Sequence, residues 1–415
     1  MRGRDHLKPK KHVAYLVPEY PVVSETFVYR EIRVLISLGY PISTYALREN
    51  PDSFDVYKDG LPPAHSIYSK SIVSHICAFL VCLCASPKAT FKTLQLFIHD
   101  AIELKGWQVK GKLLVQLFAS SYLARSLCKK NVDHLHVHFI HSPAQVAMYA
   151  SSLSGIPFTV TAHATDIYTH GQLLVEKSRR AKSVVTISEF NKKYLESIGV
   201  ESSKISVIRC ILDLPELDQD ICRPDSTRGR FVFGSLGRLV RKKGFLTLLR
   251  AYKILLELSD EQPLELQIAG SGPQLREIES LIKELGIQNQ VKLVGALHQS
   301  KVSGWMRNLD CFVLACEQDA KSGDIDGIPV VLMESMSYGI PSISTEVSGV
   351  PELVIDQITG LLAAPENPAD LAQSMLMMIS NVQLRSQMVV RAKSHVFDEF
   401  SKETNIERLV EVFET

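Results

Sequence analysis

The sequence predicts an α/β chain built on doubly wound parallel sheets, and three observations carry that reading. Short apolar runs of strand length alternate with longer segments of helical periodicity. Glycine-bounded turns follow several of those runs, as ligand loops follow strands in such sheets. A polar stretch, Leu217 to Gly229, rich in Asp, Arg, Pro and Gly, divides the 415 residues into halves large enough to bury two cores. The expected organisation is a domain over 1–216, a linker over 217–229, a second domain over 230–395, and a closing helical segment over 396–415 that returns to the first domain.

In the first half, Val13-Ala-Tyr-Leu-Val17 reads as a strand, and Pro18 to Val23 as a loop. Ser24-Glu-Thr-Phe-Val-Tyr-Arg-Glu31 then reads as the start of a helix, with Ser24 as its cap. Ile72 to Ala85 is an apolar run too short to cross a bilayer. It reads as a buried helix, with an interfacial segment as the alternative because Lys88, Lys92, Lys105, Lys110 and Lys112 follow. His134, His136 and His138 share one face of a strand by twofold alternation. Tetrahedral metal sites usually draw ligands from separate elements, so these residues read as core or site-edge histidines and no metal is expected. Phe158 to Ala162 reads as another strand, placing His163 and Asp166 in the loop at its end, with Asp166 able to cap.

The second half opens with the strand Phe231 to Leu236. The loop Gly237-Arg-Leu-Val-Arg-Lys-Lys-Gly244 follows, four cations ahead of a helix marked by Phe245, Leu248, Leu249 and Tyr252. Arg238 can fork onto phosphate oxygens and Lys243 can serve as a mobile point charge, whereas Arg241 and Lys242 read as solvated. Leu264 to Ala269 and the turn Gly270-Ser-Gly272-Pro273 repeat the strand-and-turn pattern. Further strands are expected at Val291 to Val294, Cys311 to Ala315 and Ser342 to Thr345. Pro329 suits the first position of a helix stopped by Gly339 and Pro341. Asp326 then lies just before the helix and Glu334 within it, about 12 Å apart at helical rise, with the amides of Val330, Val331 and Leu332 between them to face an anion.

Taken together, Gly237-Arg238, Lys243-Gly244, Gly270-Ser-Gly272-Pro273, Asp326 to Glu334, Tyr338-Gly-Ile-Pro341 and Gly349-Val-Pro-Glu352 resemble the donor domain of glycosyltransferase family 4, the retaining GT-B enzymes. The resemblance implies two Rossmann-like domains facing across a cleft, closure of which aligns the reactants. It implies sugar transfer from a UDP- or GDP-linked donor to a saccharide or lipid-linked acceptor. Asp326 would contact the donor sugar, Glu334 the ribose hydroxyls, and Arg238 and Lys243 the diphosphate, with Gly237, Gly270 and Gly272 in the surrounding turns. Backbone groups near Leu297 would hold the base. The family usually carries Glu where Asp326 stands, a departure that bears on donor identity. It commonly carries Gly where Ile211 stands, so the turn before Asp213 must differ.

In the first half, Ser24-Glu25-Thr26-Phe27 resembles a loop bordering donor and acceptor in exopolysaccharide members of the family. His138 ends a strand like the family's His-x-His-Phe, near the acceptor. Ala-His163-Ala-Thr-Asp166 resembles the family's Ala-His-x-x-Asp motif, which makes His163 the first-domain catalytic candidate. Thr186 to Asn191 resembles another site-lining segment.

The near-neutral charge of +1 and the absence of a nucleic-acid module argue against a nucleic-acid partner. Eight scattered cysteines form neither a zinc pattern nor a secreted framework, and the basic start lacks a signal-peptide core. A cytoplasmic enzyme is therefore expected, with peripheral contact at the inner membrane face as the alternative. Asp324-Ile-Asp326 imitates an Asp-x-Asp metal motif, but Arg238 and Lys243 already supply the positive charge, so metal independence is expected. Two rivals remain open: a GT-B epimerase or phosphorylase on the same scaffold, and a non-enzymatic bilobal sugar-binding protein.

Overall fold

A computed structural model describes residues 9–20, 22, 25–50, 61–212, 229–259 and 263–414. The Ser24 cap, Asp213 and all but the last residue of the expected linker lie outside the described residues. The chain divides into two compact units, one comprising Met1–Ile187, Lys192–Ile211 and Asn405–Thr415, the other Ser188–Asn191 and Leu212–Thr404.

The first unit runs β1 (Val13–Tyr20), α1 (Thr26–Ser37), β2 (Ile42–Glu49), β3 (Ala64–Ser66), α2 (Ile72–Ala85), α3 (Pro87–Glu103), α4 (Trp107–Lys129), β4 (His134–His138), α5 (Ser142–Ser154), β5 (Phe158–Ala162), α6 (Thr165–Tyr168), α7 (Leu174–Arg180), β6 (Ser183–Thr186), α8 (Glu189–Ser197), whose first residues up to Asn191 group with the second unit, and β7 (Ile205–Val207). Its strands form one sheet in the order β3-β2-β1-β4-β5-β6-β7, every pairing parallel. Parallel strands require crossovers, and the helices between them supply these.

The second unit runs β8 (Phe231–Leu236), α9 (Phe245–Leu258), β9 (Leu264–Ala269), α10 (Leu275–Glu284), β10 (Val291–Gly295), α11 (Gln299–Met306), β11 (Cys311–Val313), α12 (Val330–Ser337), β12 (Ser342–Thr345), β13 (Leu361–Ala363), α13 (Pro368–Ser380) and α14 (Val382–Phe400). Its order, β10-β9-β8-β11-β12-β13, is again wholly parallel. Each sheet reverses direction once, between β1 and β4 and between β8 and β11, and ligands bind outside the carboxyl ends of strands at such switch points.

The expected boundary at 395–396 falls inside α14, which continues to Phe400 before α15 (Lys402–Glu414) begins. Within the first unit, Ile406, Leu409 and Phe413 of α15 pack into the core formed by Val13, Tyr15 and Val17 of β1 and Val28, Ile32 and Leu35 of α1. Ile211 is buried in that same core, and among the described residues it is not one with a left-handed backbone. Its side chain thus occupies space that a glycine would leave open.

The reading of α2 as a buried helix is corrected. Only Ala78 and Cys82 are buried, whereas Ile72 is 77% exposed and Val73 67%. The helix rests on the unit by one narrow stripe, too few side chains to cover an element that is apolar nearly all round.

Candidate functional site

In the second unit the candidate groups gather where β8 and β11 diverge. After β8 the chain passes Gly237 and Arg238, makes a 3₁₀ turn over Arg241–Lys243, and enters α9 through Gly244, whose φ is +64°. A Cβ at Gly244 would overlap the Ala315 carbonyl oxygen, so only glycine lets this loop lie against the end of β11. Gly270, φ +140°, lies equally close to the Gly237 carbonyl. These approaches fix the Lys243 stem beside Gly237, and Lys243 Nζ lies 2.5 Å from Asp326 Oδ2. Burial pushes the Asp326 carboxyl up, but Lys243 and Lys242 outweigh it and hold the group below the usual carboxylate range. Burial pulls Lys243 down, and Asp326 more than offsets it, so the ammonium is held above its ordinary value.

The reading of Lys242 as solvated is corrected. Its Nζ lies 3.1 Å from Asp324 and 3.3 Å from Asp326. Two lysines thus face the pair Asp324 and Asp326, a contact invisible from the loop sequence because the acids arrive from the far side of the switch point. Arg241 remains half exposed, 3.8 Å from Glu277, and Arg238 is exposed.

Helix α12 starts at Val330, with Pro329 at the cap position. Helical rise therefore covers only Val330 to Glu334, about 6 Å, and the 12 Å span expected from Asp326 does not apply. Leu332 N–H already donates to the Pro329 carbonyl at 3.0 Å, which removes it from the expected anion-facing set. Val330 and Val331 remain as first-turn amides, where the helix dipole favours negative charge. Glu334 is partly exposed one turn further on, and Leu297 lies in the loop between β10 and α11. Glu352, in the turn after β12, accepts the backbone N–H groups of Glu189 (2.9 Å) and Phe190 (2.8 Å), which group with this unit.

The first unit assembles its candidates at the carboxyl ends of β4 and β5. Asp166 is fully buried and accepts backbone N–H groups from Ile140 (2.8 Å), His163 (3.0 Å) and Ala164 (3.0 Å). Burial raises its carboxyl, and the amides oppose that. Asp166 is therefore a clasp for the loops after β4 and β5, and its geometry does not present it to an acceptor. His163, thus held, has Nε2 3.1 Å from His138 Nδ1. Burial lowers His163 well below its ordinary value, so it is neutral. His138 is itself buried and reaches Glu31 Oε1 at 3.3 Å, so it sits behind His163 instead of at the site edge.

Glu31 is a residue that motif reading missed. Its Oε1 also takes the Tyr15 hydroxyl at 2.5 Å and lies 3.6 Å from His136. The signal was helical spacing: Glu31 is four residues beyond Phe27, and Phe27 covers His163 with ring centroids 4.5 Å apart. His134 and His136 lean on Thr159 at 2.8 Å each, a second reason that strand spacing alone did not describe these histidines. Phe139, between β4 and α5, holds φ at +74°, an outlier for a bulky residue, and packs at a tilt against His163 with ring centroids 4.7 Å apart. At the start of α1, Thr26 is the first helical residue and Glu25 occupies the cap position without a side-chain bond. Burial, with Glu19 and Asp166 nearby, pushes Glu25 up to about 8.

Comparison with known proteins assigns both halves. Residues 24–215 match the family model "Glycosyltransferase Family 4", and residues 219–395 match "Glycosyl transferases group 1". The chain is 25% identical to the amylovoran biosynthesis glycosyltransferase AmsK of Erwinia amylovora, across 97% of this chain and 99% of that protein. The fold is similar to that of Anabaena Alr3699/HepE, solved with UDP and glucose, at a TM-score of 0.72 and 15% identity over 98% of this chain and all of that one. It is similar also to a glycosyltransferase of Rickettsia africae, at 0.70 and 18% over 97% and 98%. These likenesses identify the two-unit α/β architecture as GT-B.

Proposed function

We propose, from the premise that this chain belongs to the family 4 glycosyltransferases, that it moves a sugar from a UDP- or GDP-linked donor to a hydroxyl of a saccharide or polyprenyl-linked acceptor, with retention of configuration. The likeness to an amylovoran enzyme supports a place in surface polysaccharide synthesis. The observation that carries the reading is the paired lysine and carboxylate cluster, Lys242 and Lys243 against Asp324 and Asp326, beside the first turn of α12 at a switch point.

Before donor arrives, Asp326 neutralises Lys243. An incoming diphosphate takes over the lysine, and the released carboxylate turns to sugar hydroxyls. Arg238, Lys243 and the amides of Val330 and Val331 then stabilise the departing diphosphate as the bond from sugar C1 to phosphate oxygen breaks and that oxygen keeps the electron pair. The same phosphate takes the proton of the acceptor hydroxyl, whose oxygen bonds to C1 on the face just vacated. His163, held neutral, hydrogen-bonds the donor sugar or the reacting hydroxyl. The lysines supply the positive charge, so the scheme routes no step through a metal ion.

Calorimetric titration with UDP and GDP, with and without EDTA, tests the donor site. Micromolar binding of one nucleotide, unaffected by EDTA and weakened about tenfold by Arg238→Ala and by Glu334→Ala, is the expected result. A folded sample that binds neither nucleotide overturns the donor site.

The chain works at the cytoplasmic membrane face in this reading, and the exposed faces of α2, α3 and α4 support it. Along them Ile72, Val73, Phe91 (63% exposed), Ile102 (75%) and Trp107 (90%) stand in solvent beside the exposed Lys88, Lys92, Lys105 and Lys112. Exposed apolar side chains interspersed in sequence with lysines suit the headgroup boundary of an anionic bilayer, where each lysine contributes about 1 kcal/mol. No described helix is long and apolar enough to cross a membrane. The protein is expected to float with phosphatidylglycerol vesicles and not with phosphatidylcholine vesicles, and Ile102→Ser with Trp107→Ser should abolish flotation. Flotation indifferent to both changes rules this face out, as does a concentration-dependent dimer that the same substitutions dissociate.

A further inference from the structure

A pocket of about 360 Å³ in the first unit lies between α4, the start of α5 and the loop joining α6 to α7. Lys112 comes from α4, His141 from the cap of α5, His170 from the loop and Lys177 from α7. None of the lining residues is acidic. The carboxylates that act on Lys177 are committed elsewhere, Asp100 to Arg180 at 2.6 Å and to the Tyr149 hydroxyl at 2.6 Å, and Asp166 to its three amides, while Glu176 pairs with Arg179 and Arg180 and Glu103 lies 3.7 Å from His99. Lys177 is buried and donates to the Gln172 carbonyl at 2.8 Å.

The basic groups disfavour one another's charge. Burial pulls Lys177 down to about 7, with Asp166 and Asp100 opposing and Lys112 adding to the fall. Burial likewise pulls His141 down to about 3, helped by Lys177, His170 and Lys112. Burial and mutual repulsion thus hold charge off His141 and in part off Lys177, and an anion entering the cavity would restore it. Gln145, in the first turn of α5 and only 4% exposed, adds a buried side-chain amide to the lining and lies within hydrogen-bonding reach of the Tyr149 hydroxyl.

Two features define the rest of the ligand. Leu104 and Val109 line the pocket and flank Trp107 in sequence, close to Ile102, so the polar cavity opens beside the exposed apolar face. Toward the sheet, Phe139 stacks on His141 (5.6 Å) and meets His163 at a tilt (4.7 Å), so one ring separates the basic pocket from the catalytic candidate.

We propose that this pocket binds the phosphate or diphosphate head of a lipid-linked acceptor, with the lipid tail leaving along α3 and α4. The proposal rests on the acceptor reading above and deepens it by naming where the anionic head is held. An acceptor so anchored would present the sugar beyond its phosphate to His163.

The test is calorimetry on the full chain with geranyl diphosphate, inorganic pyrophosphate and geraniol, each with UDP present in excess, and UDP titrated separately. Geranyl diphosphate should bind at least tenfold tighter than either fragment. The exposed pair Lys112→Ala with His170→Ala should weaken it tenfold or more while leaving UDP affinity unchanged. Lys177→Met, checked for folding by circular dichroism, should do the same. Undiminished affinity in the double variant overturns the proposal, as does pyrophosphate binding as tightly as geranyl diphosphate, which marks a free-phosphate site. Loss of geranyl diphosphate binding on UDP addition also overturns it, because the probe was then in the donor site. UDP binding without geranyl diphosphate binding rejects this pocket alone, and the converse rejects the donor site alone.

Discussion

Lys243→Met is expected to lower kcat/KM by about 10²- to 10³-fold, the cost of removing one preorganised charge from a developing anion. Three features make Lys243 the position of largest effect in the donor unit. Its stem is laid against Gly237 by a loop that glycine alone allows to lie against β11, so its position is fixed before substrate arrives. Its ammonium stays charged because Asp326 outweighs burial. Methionine keeps the length and apolar packing of that stem but leaves the largely buried Asp326 facing Lys242 alone, so thermal unfolding measured beside the kinetics separates lost stability from lost chemistry. Lys242, beside Asp324 and Asp326, can supply part of the charge, which is why the loss is put below that of a sole cation. Arg241→Ala is the internal control: half exposed and 3.8 Å from Glu277, it should change the rate less than twofold. Steady-state kinetics on the nucleotide sugar that calorimetry selects provides the check, and equal effects at positions 241 and 243 would remove Lys243 from the mechanism.

The order of the second sheet was legible because each strand is a short apolar run closed by a turn, and the chain rarely offers another use for such a pattern. Gly237, Gly270 and Asp326 sit at strand ends or loops for that reason, and the switch point brought them to one edge. What could not be read was which long side chain meets which acid. Lys242 and Lys243 are neighbours in a 3₁₀ turn, and only the position of the 324–326 loop, some 80 residues away in sequence, turns both toward carboxylates. Glu31 was hidden differently. It lies inside an amphipathic helix where an acid ordinarily faces water, and it is drawn inward by Tyr15 and His138 from two strands. Helix α2 misled for the opposite reason, since mean apolarity says that a helix seeks cover without saying whether protein or another apolar phase provides it. The lysine cluster and the histidine cluster share one origin: in both sheets the chemistry collects at the carboxyl edge, where helix starts and loops leave polar groups that the sheet interior cannot satisfy.

Asp166→Ala should produce the largest change in stability, a loss of about 3 kcal/mol, because three buried amides lose their acceptor and each orphaned group costs about 1 to 3 kcal/mol. The sum is reduced by relief of the desolvation that raises the Asp166 carboxyl in the folded chain. For a unit of this size the loss corresponds to a fall in Tm of about 6 to 12 °C. Asp166→Asn separates charge from geometry. Its carbonyl oxygen can keep the bonds to His163 and Ala164, each 3.0 Å in the parent, but its amide then faces the Ile140 N–H, donor against donor. The asparagine variant should therefore fall between parent and alanine. Activity should follow the same order, because the clasp fixes the backbone from which His163 projects, and a displacement of about 1 Å in a reacting group is enough to cost about 10²-fold in rate. Thermal unfolding of both variants, followed beside kcat, distinguishes this from a direct encounter with the acceptor. A residue that met the acceptor would lose rate in both variants while the melting temperature held, whereas a clasp must lose both together.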